Sequence, residues 1–212
     1  MGIAMTSTSF AATTIIGVRQ DTHIHNTSVS TSGSVGSAGG QLTELWMSTA
    51  NNYIEQPWMQ FDLGGVDLSQ IESVTLLMTL TSNTNLSNAK VALTGTLGTW
   101  DAGSLTAENA PSLTSIADST LASLGGTTPQ TLITWSGDAL ANFVKGSSNG
   151  LVTLAVTRRF GNTALRTSFA SSENTGTDGP RLQIVTTTPI PEPSATALFG
   201  IGGLALMFRR RR

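Results

Sequence analysis

The chain of 212 residues is 39% apolar and only 11% charged, with 22 glycines, no cysteine and a formal charge of −2. That length suits one domain of sandwich size with a substantial core. The absence of cysteine excludes a disulfide scaffold, a thiolate zinc site and a cysteine nucleophile, and a charge near zero removes the electrostatic case for nucleic-acid binding.

In chain order, the first twelve residues, Met1 to Ala12, carry no basic group and little apolar character, but Ser9 and Ala11 stand at −3 and −1 of a cleavage site before Ala12. Gly2 with Thr6 also matches the myristoylation pattern of eukaryotic cytosol. From there to Thr188 the period is mostly two. It predicts strands at Thr13–Val18, Thr22–His25, Leu42–Met47, Trp58–Phe61, Val74–Leu80, Val91–Leu97, Thr131–Trp135, Leu151–Thr157, Ala164–Ala170 and Arg181–Thr186. Clusters of Gly, Ser and Asn divide them, and the stretch from Asn26 to Gln41 reads as a long surface loop. Two segments read as helical: Asp138–Lys145, with Leu140, Phe143 and Val144 on one side and Gly146 as C-cap, and Ser115–Leu124. Many short strands with turn signals predict an all-β, antiparallel jelly-roll β-sandwich with one or two short helices.

The charge is unevenly placed. Up to Ile190 there are seven basic and twelve acidic residues, a balance of −5, whereas the last four residues, Arg209, Arg210, Arg211 and Arg212, are all basic. Pro189 to Pro193 holds three prolines in five residues and reads as a linker. The uncharged stretch from Ser194 to Phe208 would span about 22 Å as a helix. That is short of the ~30 Å hydrocarbon core, but within reach of it through snorkelling arginines and local thinning. The arginines would stay cytoplasmic, placing the body across the membrane.

Pro191-Glu192-Pro193, an apolar helix and a terminal arginine cluster together resemble a PEP-CTERM sorting signal. The resemblance implies an exported bacterial protein held transiently in the inner membrane and processed by an exosortase, then delivered to the cell surface or the exopolysaccharide matrix of a biofilm. Pro191, Glu192 and Pro193 would be the recognition motif, and Arg209, Arg210, Arg211 and Arg212 the stop-transfer anchor. It also implies a signal peptide, of which residues 1–11 would be a remnant. The expected organisation is thus 12–188 as the sandwich domain, 189–193 as the linker with the motif, and 194–212 as a short transmembrane helix with its arginines.

The body carries a second set of motifs in a fixed order: Asp21-Thr22; Met59 to Leu63 followed by Ile71 to Leu77; Gly98-Thr99-Trp100-Asp101 followed by Glu108 to Pro111; and Phe169 to Asn174 followed by Gly179-Pro180-Arg181-Leu182. In that order they resemble the DNRLRE domain, a jelly-roll family related to carbohydrate-binding module family ninety-six. The resemblance implies a non-catalytic body that binds extracellular polysaccharide. Gln60 and Ser172 stand where that family usually has arginine, so two cations suited to a polyuronate are missing.

Candidate chemistry is sparse. Asp21, His23 and His25 alternate along one strand and share a face, as a metal-chelating pair with a carboxylate or as a polar outer face opposite inward Thr22 and Ile24. Asp21, Glu173 and Asp178 are the candidate ligands for a structural calcium ion, because the first and last strands can lie together. Tyr53, in the polar loop Asn51 to Pro57, is the candidate aromatic platform for a sugar ring, with Arg158 and Arg166 as cations for an anionic polymer. With two histidines and no Gly-x-Ser-x-Gly elbow, a serine-hydrolase triad has little material. Two readings stay open beside the binding module: a structural surface protein assembling through protein contacts, and a polysaccharide-degrading enzyme, whose paired carboxylates only a fold can bring together.

Overall fold

The computed structural model of the chain describes residues 9–27, 43–48, 53–84, 90–120, 130–160, 166–176 and 178–189. Within them run ten strands: β1 (Ser9–Thr27), β2 (Glu44–Ser48), β3 (Tyr53–Asp62), β4 (Ile71–Thr84), β5 (Lys90–Thr96), β6 (Thr114–Thr120), β7 (Leu132–Ser136), β8 (Leu151–Phe160), β9 (Arg166–Ala170) and β10 (Arg181–Pro189). One α-helix, α1 (Asp138–Lys145), and a 3-10 turn at Leu68–Gln70 complete the described elements. Every pairing is antiparallel. The fold is therefore all-β with one short helix, as the period-two patterning predicts.

The strands run in the order β1-β10-β4-β9-β2-β3-β8-β5-β6, with β7 against β4 and β1 also against β3. Two long strands each serve two partners. The first half of β1, Ser9–Gly17, pairs with β10, and its second half, from Val18, pairs with β3, with a register shift between Val18 and Gln20. Likewise β4 pairs with β10 and β7 through its first part and with β9 from Leu80 onward, again across an irregularity. Such bulges bend a strand and strengthen its twist, which lets one strand pass from one pairing surface to another. Leu76 and Met78 of β4 and Leu182 and Ile184 of β10 meet Met59 and Phe61 of β3 and Val152 and Leu154 of β8 in one core. Helix α1 adds Leu140, Ala141 and Val144 to that core and packs on β4. At eight residues it is too short to persist alone, so packing holds it. Asp138 in its first turn and Lys145 in its last complement its dipole. The Gly146 N–H donates to the Asn142 and Phe143 carbonyls, ending the helix where the sequence predicts.

Three expectations are corrected. Ser115–Leu124 is not a helix over its described part: Thr114–Thr120 is β6, paired antiparallel with β5 across one bulge. Its Ser and Thr residues favour extended backbone, and the ladder to β5 satisfies what a helix would have satisfied internally. The predicted strands Thr13–Val18 and Thr22–His25 are one continuous strand, β1. Tyr53 to Pro57 is not loop but the start of β3, paired with β1 from Tyr53↔Thr27 to Pro57↔His23.

Residues 9–11 of the expected leader remnant run in β1 opposite residues 187–189, and Pro189 is the last residue of β10, opposite Ser9. Residues 1–8 and 190–212 lie outside the described residues, and with them the sorting motif, the expected transmembrane helix and the arginine cluster. Among the described residues no helix is long and apolar enough to cross a membrane.

Candidate functional site

Asp21 enters the fold with its strand buried on both faces. Asp21, Thr22, His23 and Ile24 are all less than a tenth exposed, so the polar outer face drawn for Asp21 and His23 does not exist. The reason is tertiary and reverses the faces: Asp21 and His23 stand on the side of Met59 and Pro57, and Thr22 and Ile24 on the side that another segment covers. The segment 97–113 crosses the outside of β1, β3 and β8 and builds a second apolar cluster there from Ile24, Trp58, Leu105 and Ala155, with Trp100 and Leu113 packed on it. Gln20 fixes that crossing: its Nε2 donates to the Trp100 carbonyl at 2.7 Å and to Gln60 Oε1 at 3.1 Å. Trp100 Nε1 donates to Thr153 Oγ1 at 2.7 Å, and its ring meets Trp58 edge-on at 5.9 Å. Asn109 and Thr106 exchange reciprocal side-chain–backbone bonds that close the segment's second turn. The motif that starts at Gly98 thus covers the sheet, and Gln60 takes part in anchoring it.

The turn after β9 reaches the other side of Asp21. Ser172 N–H donates to Asp21 Oδ2 at 2.8 Å. The Ser172 hydroxyl lies 3.2 Å from Asp21 Oδ1 and 2.8 Å from Glu173 Oε1, and with one proton it can donate to one carboxyl at a time. Glu173 Oε2 is buried without a hydrogen-bond partner. Burial pushes the Asp21 carboxyl up to about 7, against the lowering pull of the Ser172 N–H, and the negative Glu173 beside it adds to the rise. The turn is held by Ser171 N–H to the Thr43 carbonyl and Asn174 Nδ2 to the same oxygen. Gly179 passes so close that a Cβ there would stand 2.8 Å from the Ser171 oxygen and 2.9 Å from the Ser172 Cα, which is why a glycine opens the second half of the last motif.

Two of the three carboxylates expected to ligate calcium, Asp21 and Glu173, therefore come together. The third, Asp178, forms an ion pair with Arg181 at 2.8 Å on the surface. Among the described residues no group of three or more His, Cys, Asp or Glu side chains is placed to hold a metal ion. Of the binding candidates, Tyr53 opens β3, Arg166 opens β9 and Arg158 lies in β8 opposite Val91 of β5. Their side chains, like that of His25, lie outside the described residues. Of the tryptophans, Trp58 and Trp135 are core residues, as their strand positions predict.

One feature escaped sequence reading altogether. Between the first half of β1, the end of β10 and the turn from Asp62 to Gln70 lies an open groove of about 610 Å³. Its walls carry Thr14, Ile16, Thr186, Asp62, Asp67 and Gln70. Asp62 Oδ1 accepts from Gly64 N–H at 2.9 Å, and Asp67 Oδ1 accepts from the Ser69 N–H and hydroxyl at 3.0 and 2.7 Å, so the turn is pinned by its own carboxylates. The signal in the sequence was the Gly64-Gly65 pair between two aspartates, which marks a turn but not its neighbours.

Compared with protein families, the chain matches carbohydrate-binding module family 96 over residues 6–186. It also matches the PEP-CTERM protein-sorting motif over residues 189–212. No curated protein matches it.

Proposed function

The chain belongs to carbohydrate-binding module family 96 and ends in a PEP-CTERM sorting motif, and on that premise we propose that it is an exported, non-catalytic polysaccharide-binding protein of the bacterial cell surface or extracellular matrix. The motif implies export and exosortase processing. In this reading the chain is held in the inner membrane by residues 194–212, with Arg209, Arg210, Arg211 and Arg212 as the cytoplasmic stop, until an exosortase cuts near Pro191-Glu192-Pro193. The body is then a jelly-roll sandwich, a topology favoured by the way β1 and β4 each change partners along their length. Its surface supports binding rather than bond cleavage. Of the close carboxyl pair, Asp21 is buried and Glu173 is half-buried in the turn that covers it, and the open groove carries hydroxyls, an amide and carboxylates of the kind that hold sugar hydroxyls.

The observation that carries the reading is the family match across nearly the whole body followed directly by the sorting motif. Replacing Pro191, Glu192 and Pro193 together with alanine should leave the protein unprocessed in the inner membrane, seen as loss of the shorter mature band from the medium and surface fractions. Processing and release at the unaltered level would remove the sorting half of the reading.

A further inference from the structure

We propose that the groove between β1, β10 and the Asp62–Gln70 turn is the sugar-binding cleft of this module, and that it takes an uncharged polysaccharide chain rather than a polyuronate. The proposal rests on the polysaccharide-binding reading and adds both a place and a ligand class to it. The groove's volume of about 610 Å³ lies within the ~300–1,000 Å³ range of small-ligand sites, and it is open, so a chain can lie along it with both ends in solvent.

Its chemistry is that of hydroxyl recognition. Thr14 and Thr186, on the same face of the β1–β10 pair, offer hydroxyls, and Gln70 offers an amide with both donor and acceptor. Asp62 and Asp67 each commit Oδ1 to their own turn, which orients the carboxylate and leaves Oδ2 to accept from a sugar hydroxyl. Ile16 and Val66, half-buried at the edge of the core, supply apolar surface for the C–H face of a ring. Gly65 adopts φ +87 at the turn, and no atom lies within 4 Å of where its Cβ would be, so the wall there is bare backbone beside open space.

The ligand class follows from charge. Among the described residues the walls hold two carboxylates and no Lys, Arg or His. A uronate chain would bring a negative charge at every ring towards fixed negative charge with no cation to receive it, whereas a neutral chain offers only hydroxyls for those carboxylates to accept from.

The test is calorimetric titration of the full chain, solubilised in a detergent without a sugar headgroup, with neutral β-1,3- and β-1,4-glucan hexaoses and with mannuronate and galacturonate hexaoses. Saturable binding of a neutral hexaose, at least about tenfold tighter than any uronate, is expected. Gln70→Ala should weaken it about fivefold or more. The double change Asp62→Asn with Asp67→Asn, which retains the side-chain oxygens that pin the turn, should weaken neutral binding and narrow the gap to uronates. Melting temperatures within a few degrees of the parent would show that both variants fold. Neutral binding unchanged in both variants would overturn the groove while leaving the module reading intact. Tighter binding of uronates than of neutral chains would overturn the ligand class. No binding of any hexaose, with none of any longer polysaccharide either, would overturn this inference together with the reading it rests on.

Discussion

Phe169→Ala should destabilise the body by ~3–5 kcal/mol, the usual cost of emptying a fully buried aromatic site. Phe169 is the first residue of the last motif and is wholly buried. It stands opposite Leu45 of β2 and Leu80 of β4, and its ring meets Trp135 of β7 edge-on at 6.1 Å. One side chain thus ties four strands, and the turn that follows carries Ser172 and Glu173 to Asp21. In a domain of this size each kcal/mol moves the melting temperature by ~2–4 °C, so a fall of ~10 °C is expected in a thermal scan. Phe169→Leu keeps most of the volume and should recover most of that loss. A Phe169→Ala protein melting within a few degrees of the parent would mean that this residue is not at the centre of the core.

The second large effect depends on pH. A carboxyl of an unfolded chain titrates near 3.9, whereas in the fold burial and the neighbouring Glu173 hold Asp21 up at about 7. Between those values the folded state binds the proton and the unfolded state has lost it, so stability falls as pH rises. The contribution is whole below about pH 4, declines towards neutrality and is gone above pH 7 to 8. Asp21→Asn keeps an oxygen for the Ser172 N–H and removes the charge. It should leave stability near pH 4 almost unchanged, raise it at pH 8 by ~2 kcal/mol, and flatten the slope between, as read from denaturant midpoints across that range. A variant that loses stability at pH 8 would show that the ionised carboxylate is wanted there.

What the sequence disclosed and what it withheld divide along a physical line. The tail was legible because its three parts, the proline motif, the apolar stretch and the arginines, are contiguous and differ sharply in polarity. Most strands were legible because their alternation is local, and α1 because Leu140 and Val144 recur at helical spacing before Gly146. The strand at Thr114–Thr120 was missed because its extended state is decided by the ladder to β5, a partner more than twenty residues away. Burial of Asp21 and His23 was missed because alternation alone set the two faces the wrong way round: Ile24 lies under the segment 97–113, whereas Asp21 and His23 share the side of Met59 and Pro57, where the turn after β9 closes over Asp21. The meeting of Asp21 with Glu173 was anticipated from the closeness of first and last strands, but the turn that delivers Glu173 leaves Asp178 facing Arg181 instead. Beyond the turn at Gly64-Gly65 the groove had no sequence signature, since its walls come from three segments that only the pairings of β1 with β10 and β3 and of β10 with β4 bring together.

The central claim is that this protein holds polysaccharide without cutting it. Its most direct test is calorimetric titration of the full chain with neutral and uronate-rich polysaccharides, assaying the same mixtures for new reducing ends. Saturable binding to a neutral polymer with no new reducing ends is the predicted result. New reducing ends would make the protein an enzyme and contradict the account. Absence of binding to every polymer would contradict it too, and would point to a surface protein that assembles through protein contacts.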